Sequence, residues 1–499
     1  MIHPSISRRR FLAAGGIAVG TLVAACSAGT DLSATRRVTA TSPRVAAVES
    51  ARRPAGQRST EVSLAAMPGD IDLGGSVVRT WSYGGQLSGR EIRVRRGDLL
   101  AVSLRNGLPE ATTIHWHGVA LRNDMDGVPV LTQLPTRSLG DFRYEFTVPD
   151  AGTYFFHPHA GVQLDRGLYV PLIVEDPGEP GSYDTELVVM LDDWLDGLGR
   201  DPDGVFQELR AGGMGGMDHG GPGGMGMARS ALLGGDAGDV TYPYFLANGR
   251  LASAPQVVAV RPGQRIRLRL INAGSDTAFR VGLPGMPMTV THTDGFPVQP
   301  ANADAVLISM GERIDAIITV PDRPVPLLAL AEGKNGFAQL VLQPGRTAAP
   351  EPASLVAELT SRPVLVATDT RAADVVRLAE RTPDAVHELK LGGPDPGYTW
   401  TINGQAYDPD RGLPVREGQR VRLRFANTTT MFHPMHLHGH TFQVRSQGGS
   451  GPRKDTVNVL PGQAVEVDFD ADNPGQWLTH CHNIYHGEAG MMTVVSYGE

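Results

Sequence analysis

Four separate histidine pairs in this chain flank a single residue: His115-Trp116-His117, His157-Pro158-His159, His436-Leu437-His438, which His440 overlaps, and His480-Cys481-His482. Side chains two apart on an extended strand share a face, so each pair can offer two imidazoles to one metal cluster. Eight imidazoles in four pairs imply several ions. If His480 and His482 face such a cluster, Cys481 points the other way, where His433 and His486 can meet it and Met491 follows ten residues on. One Cys, two His and a weak axial Met form the blue-copper electron-transfer set, in which thiolate sulfur selects copper. Zinc is the competing metal, but its structural sites favour closed sets of four Cys and His ligands at local spacing. The only other cysteine is Cys26, so close to the amino terminus that a disulfide to Cys481 is implausible, and Cys481 reads as an unpaired thiol.

The elements that must hold these residues are strands. Helical periodicity is scarce, and Gly 61 and Pro 37 punctuate many short apolar runs, the habit of an all-β protein. Three segments are variations on one another: Val94-Arg95-Arg96-Gly97-Asp98 running to Asn106, Val260-Arg261-Pro262-Gly263-Gln264 running to Asn272, and Val415-Arg416-Glu417-Gly418-Gln419 running to Asn427. The chain therefore reads as three copies of one β domain. Eighteen and twenty residues after Gly97 come His115 and His117, and the same offsets from Gly418 give His436 and His438. From Gly263 they give Val281 and Leu283, so the middle copy reads as a spacer without ligands. Counting likewise puts Thr112 where His433 stands and Pro158 where Cys481 stands, so the first copy carries half of a shared cluster.

The first 26 residues read as an address. Ser7-Arg8-Arg9-Arg10-Phe11-Leu12 resembles the twin-arginine export motif, followed by an apolar Ala/Gly-rich stretch that is too short for a convincing span. Val23-Ala24-Ala25-Cys26 resembles a bacterial lipobox, with simple cleavage nearby as the alternative; acyl chains on Cys26 would anchor the protein to the outer face of the cell membrane. Residues 27–58 are expected to be a flexible tether. The three domains are expected at 59–177, 178–346 and 363–499, with a linker at 347–362. The net charge of -8 is mild, and no basic stripe suggests nucleic acid. Only Lys334, Lys390 and Lys454 occur among the lysines, which reads as genomic base composition.

Taken together, the four motifs His115-Trp116-His117-Gly118, His157-Pro158-His159, His433-Pro434-Met435-His436-Leu437-His438 and His480-Cys481-His482 through His486 and Met491 resemble the signature of the multicopper oxidases. That is the laccase and cuprous-oxidase family of three consecutive cupredoxin-like Greek-key β-barrel or sandwich domains. Signal and domain order look most similar to exported actinobacterial copper-resistance oxidases. The resemblance implies four copper ions per chain. His433, Cys481, His486 and Met491 would hold type 1 copper, and His115 with His436 type 2. His117, His157 and His482 would hold one type 3 ion, and His159, His438 and His480 the other. Electrons from a reducing substrate would pass from Cys481 through His480 and His482 to the cluster, where dioxygen becomes water. Asp126, in Asn123-Asp124-Met125-Asp126-Gly127, matches the family's acidic residue beside type 2 copper, although the residues also suit a plain Asp-Gly turn. A second acid is expected directly after His486, where Gly487 stands with Glu488 one later.

Residues 212–227 carry Met214, Met217, Met225, Met227 and His219 on an almost side-chain-free backbone. Thioether sulfur suits Cu(I) and glycine lets several methionines converge, while an idle low-complexity loop is the alternative. Met431 matches a methionine near the substrate copper in copper-tolerance members, but Thr429 stands where the acidic partner is expected. The expected reductants are Cu(I), then phenols and Fe(II), with dioxygen as acceptor and the chain a monomer. The alternatives are a laccase-like phenol oxidase or ferroxidase without a role in copper resistance, and a non-catalytic copper-binding protein on the same fold. A two-domain nitrite reductase fits poorly with a third repeat.

Overall fold

A computed structural model describes residues 30–31, 36–179, 181–212, 228–446 and 450–499. The three repeats form three β domains in succession, each built from two sheets. In every one, the strand after the turn glycine lies between a parallel and an antiparallel partner. Leu99–Asn106 sits between Ser59–Asp72 and Asp141–Thr147, Arg265–Asn272 between Thr185–Trp194 and Arg313–Thr319, and Arg420–Asn427 between Ala385–Asp395 and Ala464–Asp470. Parallel neighbours need a crossover through the facing sheet, which is the Greek-key habit of a cupredoxin sandwich.

Two residue types explain why the repeat is visible. Gly97, Gly263 and Gly418 have φ of 85°, 76° and 84°, a left-handed conformation that glycine adopts without strain. Each donates its N–H at 2.8 Å to a carbonyl just past the returning strand, of Val148, Val320 and Ala471. At the strand's far end, Asn106, Asn272 and Asn427 each donate to two backbone carbonyls and accept from the N–H two residues on. That cross-link fixes the loop which, in the first and third domains, delivers His115 and His433.

The histidine pairs lie on the facing sheets. Strand His115–His117 runs antiparallel to Gly152–His157 with His115 opposite His157, and His433–Leu437 runs antiparallel to Gln476–Cys481 with His436 opposite His480. The intervening residues turn into the cores. Trp116 packs edge-on to Tyr144 and Phe146, while Met435 and Cys481 sit opposite each other, both buried.

Three expectations are corrected. The tether expected over 27–58 is, from residue 36 onward, a docked strap. Val38 is buried and donates to Tyr497 O at 2.9 Å, and Pro43–Arg52 is a helix capped by Ser42. The helix buries Val45 and Glu49, whose carboxylate accepts from Thr147 N and Oγ1 at 2.9 and 2.6 Å. The linker expected at 347–362 holds the helix Pro352–Thr360, with Leu359 buried against Leu328 and Leu330. Val364–Val366 then adds to a sheet of the second domain, so the boundary drawn at 363 falls too early. Lys454 is buried and ion-paired with Asp294 and Glu312, and Lys334 pairs with Asp276. No helix among the described residues is long and apolar enough to cross a membrane.

Candidate metal centres

Among the described residues, buried side chains converge in two places. His433, Cys481 and His486 bring their ligand atoms within 4.8 Å of one another in the third domain. Three further groups meet between the first and third domains: His117 with His157 and His482, His159 with His438 and His480, and His115 with His117 and His436. The two sets are joined through one strand end, because Cys481 belongs to the first and its neighbours His480 and His482 to the second. Met491 is buried beside them, its carbonyl accepting from Cys481 N–H at 3.1 Å.

Hydrogen bonds on the far side of three of the rings fix which nitrogen faces inward. His157 donates from Nδ1 to Pro158 O at 2.9 Å, His480 from Nδ1 to Cys481 O at 2.9 Å, and His438 from Nδ1 to Asp126 Oδ2 at 3.0 Å. Their Nε2 lone pairs are thereby turned to the centre. His438 Nε2 and His480 Nε2 then face each other at 3.0 Å, a repulsive meeting of lone pairs unless a cation lies between. The Nε2 atoms of His115, His157 and His436 are buried with no hydrogen-bond partner. Burial pushes the imidazoles of His117, His157, His159, His433, His438, His480 and His482 well below their ordinary range, so they stay neutral and able to ligate. These residues fit a group of metal ions.

The Cys481 centre is built in the same way. His433 Nδ1 and His486 Nδ1 lie 3.1 Å apart and 3.5 and 3.7 Å from Cys481 Sγ. His486 Nε2 donates to Asp239 Oδ2 at 3.0 Å, and His433 Nε2 meets the Thr429 hydroxyl at 2.8 Å. Trp400 stacks on the His486 ring at 4.0 Å. Burial pushes the Cys481 thiol well up, so it is a poor nucleophile by itself and a thiolate only against a cation. Where the first domain has Thr112 in place of His433, its hydroxyl donates to Gln163 Oε1 at 2.8 Å and no ligand set forms there.

Asp126 touches the cluster from both halves: Oδ1 lies 3.1 Å from His115 Nδ1, and Oδ2 accepts from His438. Glu488 stands off the ligand groups, its carboxyl pushed by burial up to about 7. Met431 is buried among Leu233, Ala237 and Met310 of the second domain, bridged through its backbone to Asp236. Met214, Met217, His219, Met225 and Met227 lie outside the described residues, as do Cys26 and the signal. Phe206, on the helix Pro202–Gly212, makes a ring contact with Tyr485, and Ala228 packs in the Met431 cluster.

The reading of domain two as a spacer is therefore too spare. Its described residues join none of the ligand groups, with Val281 buried in its core, yet it supplies Asp239 to one centre and Arg313, on the carboxylate of Asp455, to the other. These residues, with Asp455 and Trp400, escaped the sequence reading because their partners lie far away in the chain. One signal was present: Lys454, a rare lysine directly before Asp455.

Three family models, each described as multicopper oxidase, match residues 67–179, 185–328 and 380–499. The chain is 48% identical to multicopper oxidase MmcO of Mycobacterium tuberculosis over 98% of this chain and 96% of that one. It is 28% identical to a copper resistance protein A homolog of Pseudomonas syringae pv. tomato, over 90% of this chain and 94% of the relative. The fold matches that of the solved multicopper oxidase Fet3p, which functions in iron import, at a TM-score of 0.75 and 21% identity, covering 88% of this chain and 90% of that one.

Proposed function

Because this chain belongs to the multicopper oxidase family, we propose that it oxidises Cu(I) to Cu(II) with dioxygen as acceptor, in copper detoxification outside the cytoplasm. His433, Cys481, His486 and Met491 are assigned to type 1 copper, His115 and His436 to type 2, and the triads of His117, His157, His482 and of His159, His438, His480 to the type 3 pair. When bound, these four ions supply a one-electron acceptor at Cys481 and four-electron reduction of dioxygen to water at the cluster.

The observation that carries this reading is the strand end His480-Cys481-His482, where one thiol and two imidazoles, adjacent in the covalent chain, belong to separate ligand groups. Cys481 offers the electron a bonded route, and the ring nitrogens, held neutral and pre-aimed, need no rearrangement during turnover. Asp126, touching ligands of both domains, is the candidate for relaying protons to reduced oxygen. Cu(I) as substrate is supported by Asp239 on His486, by Met431 close before His433, and by the thioether-rich composition of residues 212–227. Thr429 is no acid, so the carboxylates come from domain two, Asp236 and Asp239.

Export by the twin-arginine route and a lipid on Cys26 belong to the same proposal. The described chain begins at Thr30, which pairs with Gly412, so the reach from Cys26 to the folded body is at most about 14 Å. The test is oxygen uptake by copper-loaded protein given Cu(I), Fe(II) or a phenol, with and without residues 212–227. Four Cu(I) consumed per dioxygen, without peroxide, and a Cu(I) rate that falls on deletion while the phenol rate holds, are expected. No oxygen uptake with any reductant would overturn the oxidase reading.

A further inference from the structure

We propose that Arg313, in the middle domain, whose described residues join none of the ligand groups, is the positioning residue that assembles the copper cluster from its two halves. This deepens the assignment of copper above and rests on it. Arg313 is fully buried and touches all three domains. Its two Nη atoms donate to Asp455 Oδ1 and Oδ2 at 2.7 and 2.6 Å, the bidentate geometry that only a guanidinium offers. Its Nε donates to Thr153 O at 3.1 Å, four residues before His157, on the strand that carries that ligand. Its own N–H donates to Asp294 Oδ1 at 2.9 Å, and Asp294 Oδ2 accepts from the N–H groups of Asp455 and Thr456.

The carboxylate so held sets two ligands from different domains. Asp455 Oδ1 accepts from His117 Nε2–H at 3.2 Å, and the Asp455 carbonyl accepts from His436 Nδ1–H at 2.9 Å. The two rings stack at 3.8 Å, 13° from parallel. Within the cluster between the first and third domains His117 differs from His157, His438 and His480: with Nε2 committed to the carboxylate, its lone pair is on Nδ1, which lies 3.2 Å from His482 Nε2. Without a fixed acceptor at Asp455 the ring is free to take the other tautomer and turn its N–H toward the metal. The fit is tight enough to exclude a methyl group. A Cβ at Gly118, next to His117, would come within 2.4 Å of Arg313 Nη2, and one at Gly311 within 2.9 Å of both His482 and His117. The middle copy thus supplies the arm that locks the other two copies together.

The experiment compares copper-loaded wild type with Arg313→Gln, Arg313→Lys and Asp455→Asn. Copper per chain is measured by atomic absorption, the Cys481 site by its visible band, and the folded state of each apoprotein by its melt. Arg313→Gln and Asp455→Asn are expected to keep the Cys481 band while losing more than half of the remaining copper. Arg313→Lys, which keeps the charge but cannot span both oxygens, is expected to fall between. A full copper complement in Arg313→Gln would overturn the inference, and so would loss of the Cys481 band in parallel with cluster copper, which would make Arg313 a general folding residue. Wild-type protein without the Cys481 band would instead overturn the copper assignment itself.

Discussion

At the scale of single residues, the ligands were legible because their chemistry is rare and local, while the groups that aim them were not. Asp126 shows both sides. Its Asp-Gly setting is real, since Gly127 has a φ of 79° and a Cβ there would lie 1.9 Å from Ile114 O. The same turn aims the carboxylate at His115 and His438. An Asn side chain can accept from one ring only, leaving His115 to the residue's own carbonyl at 3.0 Å, so Asp126→Asn is expected to weaken copper binding about 10-fold, read by titrating the apoprotein with copper. Unchanged affinity would reduce Asp126 to a turn residue. Asp239 had no motif to announce it, because its partner His486 lies 247 residues on. Thr429, in the position expected to be acidic, uses its hydroxyl on His433 instead.

At the scale of elements, the repeat was legible because turn glycine, alternating strand and terminal asparagine each do the same mechanical job three times. The strap over residues 36–58 was hidden for the opposite reason. It buries few apolar side chains within a polar run, and its hold on the body is partly the Glu49 carboxylate on Thr147. Glu49→Ala would leave a buried N–H and hydroxyl unpaired, at a cost of about 1–3 kcal/mol, seen as a lower melting temperature. An unchanged melt would mean that the strap is dispensable. The linker expected at 347–362 was misread likewise: Pro352 opens a helix there.

At the scale of the whole molecule, three domains share one site, and its stability should depend on pH and metal together. Burial holds seven ligand imidazoles well below the ordinary 6.5, so in the apoprotein the folded state refuses protons that the unfolded chain accepts. Their neutral forms favour folding fully above about pH 6.5, and that support is lost as the pH falls below it. The urea midpoint of apoprotein is therefore expected to fall steadily from pH 7.5 to 5, and bound copper to raise it by mass action most where the sites remain loaded. A flat apoprotein profile would contradict the buried, neutral cluster. The division of labour among domains was half visible: the offsets that emptied domain two of ligands were readable, but its ion pair from Arg313 to Asp455, 142 residues apart, has no signature along the chain.

Whether Cys481 joins two copper centres is read from the visible absorption spectrum of copper-loaded protein beside Cys481→Ser, at known copper content. The expected result is an intense band in the wild type that vanishes in the variant with the loss of one copper in four, while the histidine cluster keeps its metal and oxygen uptake collapses. A band that survives the substitution, or undiminished oxygen uptake without the thiol, would contradict it.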